Sequence, residues 1–488
     1  MNIQEFISWC VEQSISFSIE EGGQLKVHAK PHCLTEDIVS KLKERKPEIL
    51  AWLEQQQVAE IPRRTTEHVE FPLSFSQQRL WVLSQVDKNS SHYNMVRAFT
   101  LSGNIQQDKV QTAFELMVNR HEVLRSTLHD TETGPVQRVS SKGAFELGYF
   151  DFSDYDDRTA EEKSTRQIAY EASYQFNLSE EPLLRVVLIE NSISEFVLVI
   201  NMHHIVSDAL SMSILFQEFI AIYQALTEGK QYYLPELPIQ YADFADWQRS
   251  LVNRKRIDRE LDYWQKRLQD IPKVHALPLD HVRPPQQGFK AQCYEQLIDG
   301  DLYQQLTGFA KQQNVTLFIL LQTCFAILLA RFGQDNDIVM GVPNAGRNNK
   351  DVEHLIGFFI NTMVVRTSVD QNLSFNGFLS QNKADLLEDF HHQDVPFELV
   401  VERLNPDRDL AFNPLCQIKF MVETREKHDY KLPGMDVAIK KAGDEHIRFD
   451  LDLSILEVDG ALYLPWSFKT ELFESVTIAC LADAYKTL

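Results

Sequence analysis

The chain has 488 residues, 44% of them hydrophobic and 10% aromatic, enough for a substantial core and two or three domains. A formal charge of −22 opposes nucleic acid, whose phosphates need basic surface for affinity, and no apolar run approaches the ~20 residues that cross a bilayer. The opening MNIQEFISWCVEQ lacks the basic end and apolar core of a signal peptide. Six scattered cysteines (Cys10, Cys33, Cys293, Cys324, Cys416, Cys480) suit reduced thiols in a cytoplasm.

Residues 1–57 read as a small separate unit. Ile3 to Val11 is a short amphipathic helix, with Phe6, Ile7 and Cys10 on one face. Residues 15–19 and 25–29 alternate apolar with polar around Glu20-Glu21-Gly22-Gly23-Gln24, the pattern of a β-hairpin. Thr35 is an N-cap candidate for helical structure to about Leu53, which Pro47 kinks or splits. Residues 58–68, with Pro62, Arg63 and Arg64, read as a linker. So small a unit has little core, which disfavours a freestanding catalytic role. Lys26, Lys30, Lys41, Lys43, Arg45 and Lys46 give it local positive charge, suited to an acidic partner; Glu36, Asp37, Glu44 and Glu48 among them also fit a solvated helix face.

The remainder divides into halves at residues 69–240 and 241–488, Pro235 and Pro238 interrupting regular structure near the break. Strand-like runs (196–200, 338–341, 363–365, 462–466) alternate with helical ones (110–120, 317–331, 376–389), which argues for an α/β class. Gly341 to Arg347 has neither Walker nor Rossmann spacing, so ATP or NAD chemistry has no support.

The most informative segment is Asn201-Met202-His203-His204-Ile205-Val206-Ser207-Asp208-Ala209-Leu210. It ends a β-branched strand and precedes an amphipathic helix over 210–226, so an imidazole is held on a tight turn where it can meet a proton. Bland readings compete. Asp208 sits at a helix N-cap position, worth roughly 1 kcal/mol. His203 and His204 alternate along a strand, so one is a packing residue. Three ligands for zinc are conceivable, but adjacent strand residues face apart and no cysteine or further histidine lies nearby; no metal is expected.

His203-His204 followed by Asp208 resembles the His-His-x-x-x-Asp signature of nonribosomal peptide synthetase condensation domains. Companion motifs appear in order: Ser74-Phe75-Ser76-Gln77-Gln78-Arg79-Leu80-Trp81, Arg120-His121-Glu122-Val123-Leu124-Arg125, and Tyr241-Ala242-Asp243-Phe244-Ala245-Asp246-Trp247-Gln248. Then come Ile356-Gly357-Phe358-Phe359-Ile360-Asn361-Thr362, His392-Gln393-Asp394-Val395-Pro396-Phe397-Glu398, Asn413-Pro414-Leu415 and Arg448-Phe449-Asp450-Leu451. The first 57 residues resemble the tubulysin-type (β-hairpin) docking domains that open some synthetase subunits.

The resemblance implies two chloramphenicol acetyltransferase-like lobes in a V-shaped pseudo-dimer, preceded by a small α-β-β-α docking domain. It implies amide formation between a donor acyl or peptidyl thioester and an acceptor aminoacyl amine. Both are carried on phosphopantetheine arms of carrier proteins, so this chain binds no cofactor itself. Implied partners are an upstream donor carrier with a C-terminal docking tail, met by Lys26, Lys30, Lys41 and Arg45, and a downstream acceptor carrier and adenylation domain. The downstream pair would share the full-length subunit from which this chain is cut. No nucleic acid or membrane partner is expected, and the place is the cytoplasm.

The resemblance makes His204 the catalytic histidine, beside His203. Asp208 is either an orienting carboxylate or, as in the family, the structural partner of an arginine from the second lobe, for which Arg347 is the candidate. Arg79 and Arg125 become structural or tunnel-shaping charges, and Ser211 and Asn361 tunnel-lining residues. The family's glycine after the motif aspartate is here Ala209, whose methyl disfavours positive φ and would narrow the donor channel. Open alternatives are a non-catalytic platform that recruits carriers, and an ester-forming or epimerising member of the superfamily. A heterocyclising relative is disfavoured, because that group replaces the first histidine with aspartate.

Overall fold

A computed structural model describes residues 15–20, 24–29, 38, 41–43, 45–49, 61–64, 69–86, 91–252, 255–407, 409–424, 431–432, 435–440 and 447–488. Two compact units divide between Ile61 and Pro62.

In the first unit β1 (Ile15–Glu20) pairs antiparallel with β2 (Gln24–Ala29), Phe17 opposite Val27, as the alternating pattern predicts. Residues 41–43 and 46–49 are helical, and Pro47 stands in the first turn of the second piece, where its missing N–H costs nothing. The expected helix at 3–11 lies outside the described residues.

The second unit contains both lobes. In the first, β3 (Glu70–Pro72), which precedes β4 (Asn94–Ser102), forms a small sheet with the later β5 (Ser126–His129) and β6 (Val136–Val139). The main sheet joins β4 to β7 (Gly148–Asp151), β8 (Leu184–Ser192) and β9 (Glu195–His203). All residues of β9 after Glu195 are buried. The strand runs centrally between β4 and β8 with both faces covered, hence its unbroken apolar sequence. One face carries Ala98, Val187, Val197 and Val199 against Ile168 of the helix Asp157–Ala172. On the other, Phe99 of β4 stacks on Phe216 of the helix Ala209–Thr227, ring centroids 3.8 Å apart. That helix is, among the described residues, long and apolar enough to cross a membrane, although no unbroken apolar run announces it. Ser211, Ser213, Gln217 and Glu218 interrupt the run, while Leu215, Phe216, Phe219 and Ile222 pack into the core.

The second lobe's sheet is built from β10 (Ala291–Ile298), β11 (Asp337–Asn344), β12 (Asn361–Ser368) and β13 (Ile418–Thr424), with two later strands. Next in the chain, β14 (Lys431–Leu432) and β15 (Met435–Lys440) leave this lobe. β15 pairs antiparallel with β4, Ile439 opposite Phe99, and covers what would be an open edge of the first lobe's sheet. A single division at 240/241 therefore misplaces residues 431–440, because strand pairing follows the free edge rather than chain order. The chain then returns through β16 (Leu451–Val458) and β17 (Ala461–Lys469), giving the order β10-β17-β16-β13-β11-β12. Helices 317–333 and 475–487 pack on this sheet through Phe325, Trp466 and Tyr485.

Arg64, expected in a linker, is tied to the second unit. It pairs with Glu122, lies 3.6 Å from Asp243 and sits over the Phe71 ring.

Candidate active site

β9 ends at His203, and the chain turns through the short 3₁₀ segment His204–Val206 into the helix that Asp208 caps. The His203 ring is buried; its Nδ1 accepts the Ile205 N–H at 3.2 Å, and Tyr93 and Phe176 flank it. It is the packing member of the pair. His204 is partly buried. Its backbone N–H donates to the Tyr93 carbonyl at 2.8 Å, and its Nδ1 donates to the Ser207 carbonyl at 2.8 Å. That bond assigns the ring proton to Nδ1 and leaves the Nε2 lone pair as an acceptor. The Phe358 ring stands edge-on to it at 4.8 Å.

Both imidazoles are held neutral. Burial, aided by the charges of His204 and Arg448, pushes His203 down to about 3. Burial and Arg448 push His204 down to about 3, against the opposing pull of its Ser207 bond.

Asp208 does not touch the His204 ring, so it is not a triad-type orienter. Its Oδ1 accepts the Ser211 N–H at 2.7 Å and faces Arg347 Nη2 at 3.3 Å, and its Oδ2 accepts the Phe359 N–H at 3.1 Å. The arginine comes from the second lobe and also donates to the Val352 and Leu355 carbonyls and to Ser211 Oγ. Ser211 Oγ in turn donates to the Gly357 carbonyl and accepts the Gly357 N–H. Tyr241 closes the seam by donating to the Phe358 carbonyl, its hydroxyl also 2.9 Å from Ser74 Oγ. Gln77 reaches from the opening motif to the Ile205 carbonyl at 3.0 Å. The histidine turn and the helix after it are thus braced from three motifs distant in sequence and from Arg347.

The other residues named from the motifs make local or lobe-joining contacts. Arg125 reaches the Ser140 carbonyl and lies 3.5 Å from Glu122, wholly within the first lobe. Asn361 braces the 393–397 turn, donating to Gln393 and Val395 carbonyls and accepting from the Phe397 N–H. Arg79 lies 3.7 Å from Glu398 and over the Phe397 ring, joining first-lobe helix Phe75–Val86 to second-lobe helix Phe397–Leu404. Ala209 is exposed, opens the helix and is not among the positive-φ residues, so alanine costs the backbone nothing there. In the first unit Lys26 and Lys41 are exposed, Arg45 is paired with Glu48, and Lys30 lies outside the described residues. Among the described residues no cluster of three or more His, Cys, Asp or Glu could hold a metal.

Two residues that sequence reasoning left unassigned prove central. Tyr93 contacts both histidines, and Arg448 stacks over the Tyr93 ring at 4.2 Å. Arg448 opens the last motif, whereas Tyr93 belongs to none.

Two mixed sheets with a histidine turn braced between them define a double-lobed, acetyltransferase-like domain. Residues 67–488 match the family model described as condensation domain, and the chain belongs to that family. Residues 3–55 match the TubC N-terminal docking domain. A linear gramicidin synthase of Brevibacillus parabrevis is 34% identical over 438 residues, covering 89% of this chain. Chondramide synthase cmdD of Chondromyces crocatus is 34% identical over 432 residues, covering 88%. This chain spans only 6% and 11% of those two relatives. The X-domain from teicoplanin biosynthesis shares the fold, with TM-score 0.78, 24% identity and coverage of 87% of this chain and 96% of that one. The epimerization domain from the third module of tyrocidine synthetase B does likewise, with TM-score 0.73, 21% identity and coverage of 87% and 97%.

Proposed function

We propose that residues 62–488 join a donor acyl or peptidyl thioester to the amine of an acceptor aminoacyl thioester, each delivered on the phosphopantetheine arm of a carrier protein. The amine nitrogen bonds to the donor carbonyl carbon, the carbon–sulfur bond breaks, and the amine proton ends on the departing thiolate. The acceptor then carries the lengthened chain. The first unit would hold the upstream subunit through its tail, steered by Lys26, Lys41 and Arg45.

The observation that carries this reading is the His204 ring, with Nδ1 committed to Ser207 and Nε2 left as an acceptor. An imidazole held near 3 is a weak base beside an α-amine of about 7.7–8.0. It serves best by accepting a hydrogen bond from the neutral amine and aligning its lone pair on the thioester carbon. Asp208 and Arg347 hold the turn in place and take no proton.

Intact-mass spectrometry of acyl- and aminoacyl-loaded carriers tests this. Mass transfer to the acceptor by wild type, and its loss in folded His204→Ala, is expected. No transfer by wild type from carriers that bind would favour the recruiting platform instead. Transfer to a hydroxyacyl acceptor but not an aminoacyl one would favour ester formation.

A further inference from the structure

Arg448 is the cation nearest in sequence to Asp450, yet that carboxylate is already taken. Arg283 lies 2.7 Å from Asp450, His275 and Lys469 each 3.2 Å. Among the described residues, no carboxylate or carbonyl accepts from the Arg448 guanidinium, whose contact is the face of Tyr93 at 4.2 Å. Tyr93 receives the His204 backbone N–H on its carbonyl and places its ring 6.2 Å from that of His203. Second-lobe Arg448 and first-lobe Tyr93 therefore meet beside the histidine turn, across a seam that neighbouring His92 and Phe289 extend with rings 4.3 Å apart. His204 touches this seam through its backbone and the opposite one through Phe358.

Arg448 is partly exposed, and its five donors, met by no protein oxygen among the described residues, are left able to reach a ligand. Burial pulls it below its ordinary range, and its charge is felt at both imidazoles. Arg79 adds a second positive charge nearby. Nothing about packing requires a cation there; a methionine would cover Tyr93 as well.

We infer that Arg448 anchors the acyl carbonyl oxygen of a pantetheinyl thioester, with Tyr93 as the platform that aims it beside His204. The inference rests on the proposed condensation reading for the identity of that ligand. Donor and acceptor thioesters share this carbonyl, and the guanidinium would hold either by charge-assisted hydrogen bonds. Its planar fork suits that task better than an ammonium.

Binding is measured apart from turnover, with two stable pantetheine amides in place of the thioesters, one N-acyl (donor type) and one aminoacyl (acceptor type). Arg448→Met is expected to weaken one of them about 10- to 100-fold, the loss of a charge-assisted hydrogen bond, and Arg448→Lys to recover part of it. Which analogue is weakened tells which thioester docks there. An analogue with methylene in place of the carbonyl should bind wild type as weakly as the parent amide binds Arg448→Met, a comparison that survives if that variant does not fold. In turnover assays KM for the anchored thioester should rise. Equal binding of both amides by wild type and both variants, or equal binding of amide and methylene analogues by wild type, overturns the inference. Weakened binding in Arg448→Met with no wild-type transfer to any acceptor would uphold the anchor while sinking the condensation reading.

Discussion

Arg347 Nη2 stands 3.3 Å from Asp208 Oδ1, joining the second lobe to the helix that follows the histidine turn, with side chains only 6% and 5% exposed. Both side chains are almost wholly shielded from solvent, and both make further hydrogen bonds to the backbone or Ser211, although Arg347 Nε finds no partner among the described residues. A buried pair is costly to break from one side because the survivor is left charged without a partner. Asp208→Asn and Arg347→Met should each cost about 3–5 kcal/mol in denaturant unfolding. The double variant should cost well under their sum. Additive losses would show that the two do not act as a pair.

The two histidines should separate cleanly. His204→Ala removes the free Nε2 and should lower turnover roughly 10²–10⁴-fold with little change in melting. His203→Ala leaves the Ile205 N–H unanswered in a buried turn, so stability should fall by about 1–3 kcal/mol. His203→Asn, which returns an acceptor oxygen, should recover part of that. Circular dichroism melting beside single-turnover transfer distinguishes the two; equal rate losses with unchanged melting would contradict the assignment.

Much of this site was legible in the sequence because local signals and motif order agreed. The apolar run before His203 announced a central strand, and Asp208 followed by helical spacing announced a cap. Arg347 could be named as the aspartate's partner only through the family resemblance, since 139 residues separate them. The contacts of Asn361 and Arg125 with nearby backbone could not be read in advance, because motif membership does not say which face a side chain takes. Tyr93 carries no local signal: its role arises from the pairing of Asn94 with His203, a long-range register. The passage of Met435–Lys440 to the first lobe was hidden for the same reason.

Ala209 invites the idea that restoring the family's glycine would restore lost activity. The structure argues otherwise, because the residue is exposed at the first helical position with ordinary backbone dihedrals. Ala209→Gly should lower stability by up to about 1 kcal/mol, the entropic cost of glycine in a helix. Turnover should stay within a few-fold of wild type. A tenfold gain in acyl transfer would show that the methyl obstructs the substrate.

Acid should destabilise the fold through the same imidazoles. Their folded values near 3 lie below the ordinary 6.5, so between these limits the unfolded chain binds more protons. The stabilisation is complete above about pH 6.5 and is lost as pH falls toward 3. Asp450, held down to about 2 although burial opposes its charge, behaves as a carboxylate. Hydrogen bonds from His275 and Arg283 and the charge of Lys469 depress it, and its contribution fails only in stronger acid, below about pH 4. Urea midpoints from pH 4 to 7 should climb with pH in wild type, and the slope should flatten in His204→Gln. An unchanged slope would place the proton uptake on other groups.

Gly357 sits where no side chain fits. A β-carbon there would lie 2.0 Å from Tyr241 Cδ2 and 2.8 Å from Phe359 Cε2. Tyr241 has nowhere to go, since its hydroxyl is held by Ser74 and the Phe358 carbonyl. Gly357→Ala must therefore push the 357–359 segment, and with it the Phe358 ring that stands against His204. The expected cost is about 1–3 kcal/mol in stability, as for other overpacked sites. The kinetic cost should be larger, of the order of 10²-fold for a displacement near 1 Å. Adding Tyr241→Leu makes room for the methyl but removes two hydrogen bonds, so it should recover rate more than stability. Wild-type transfer rates in Gly357→Ala, in a protein that melts several degrees lower, would show that Phe358 does not position His204 or its substrate.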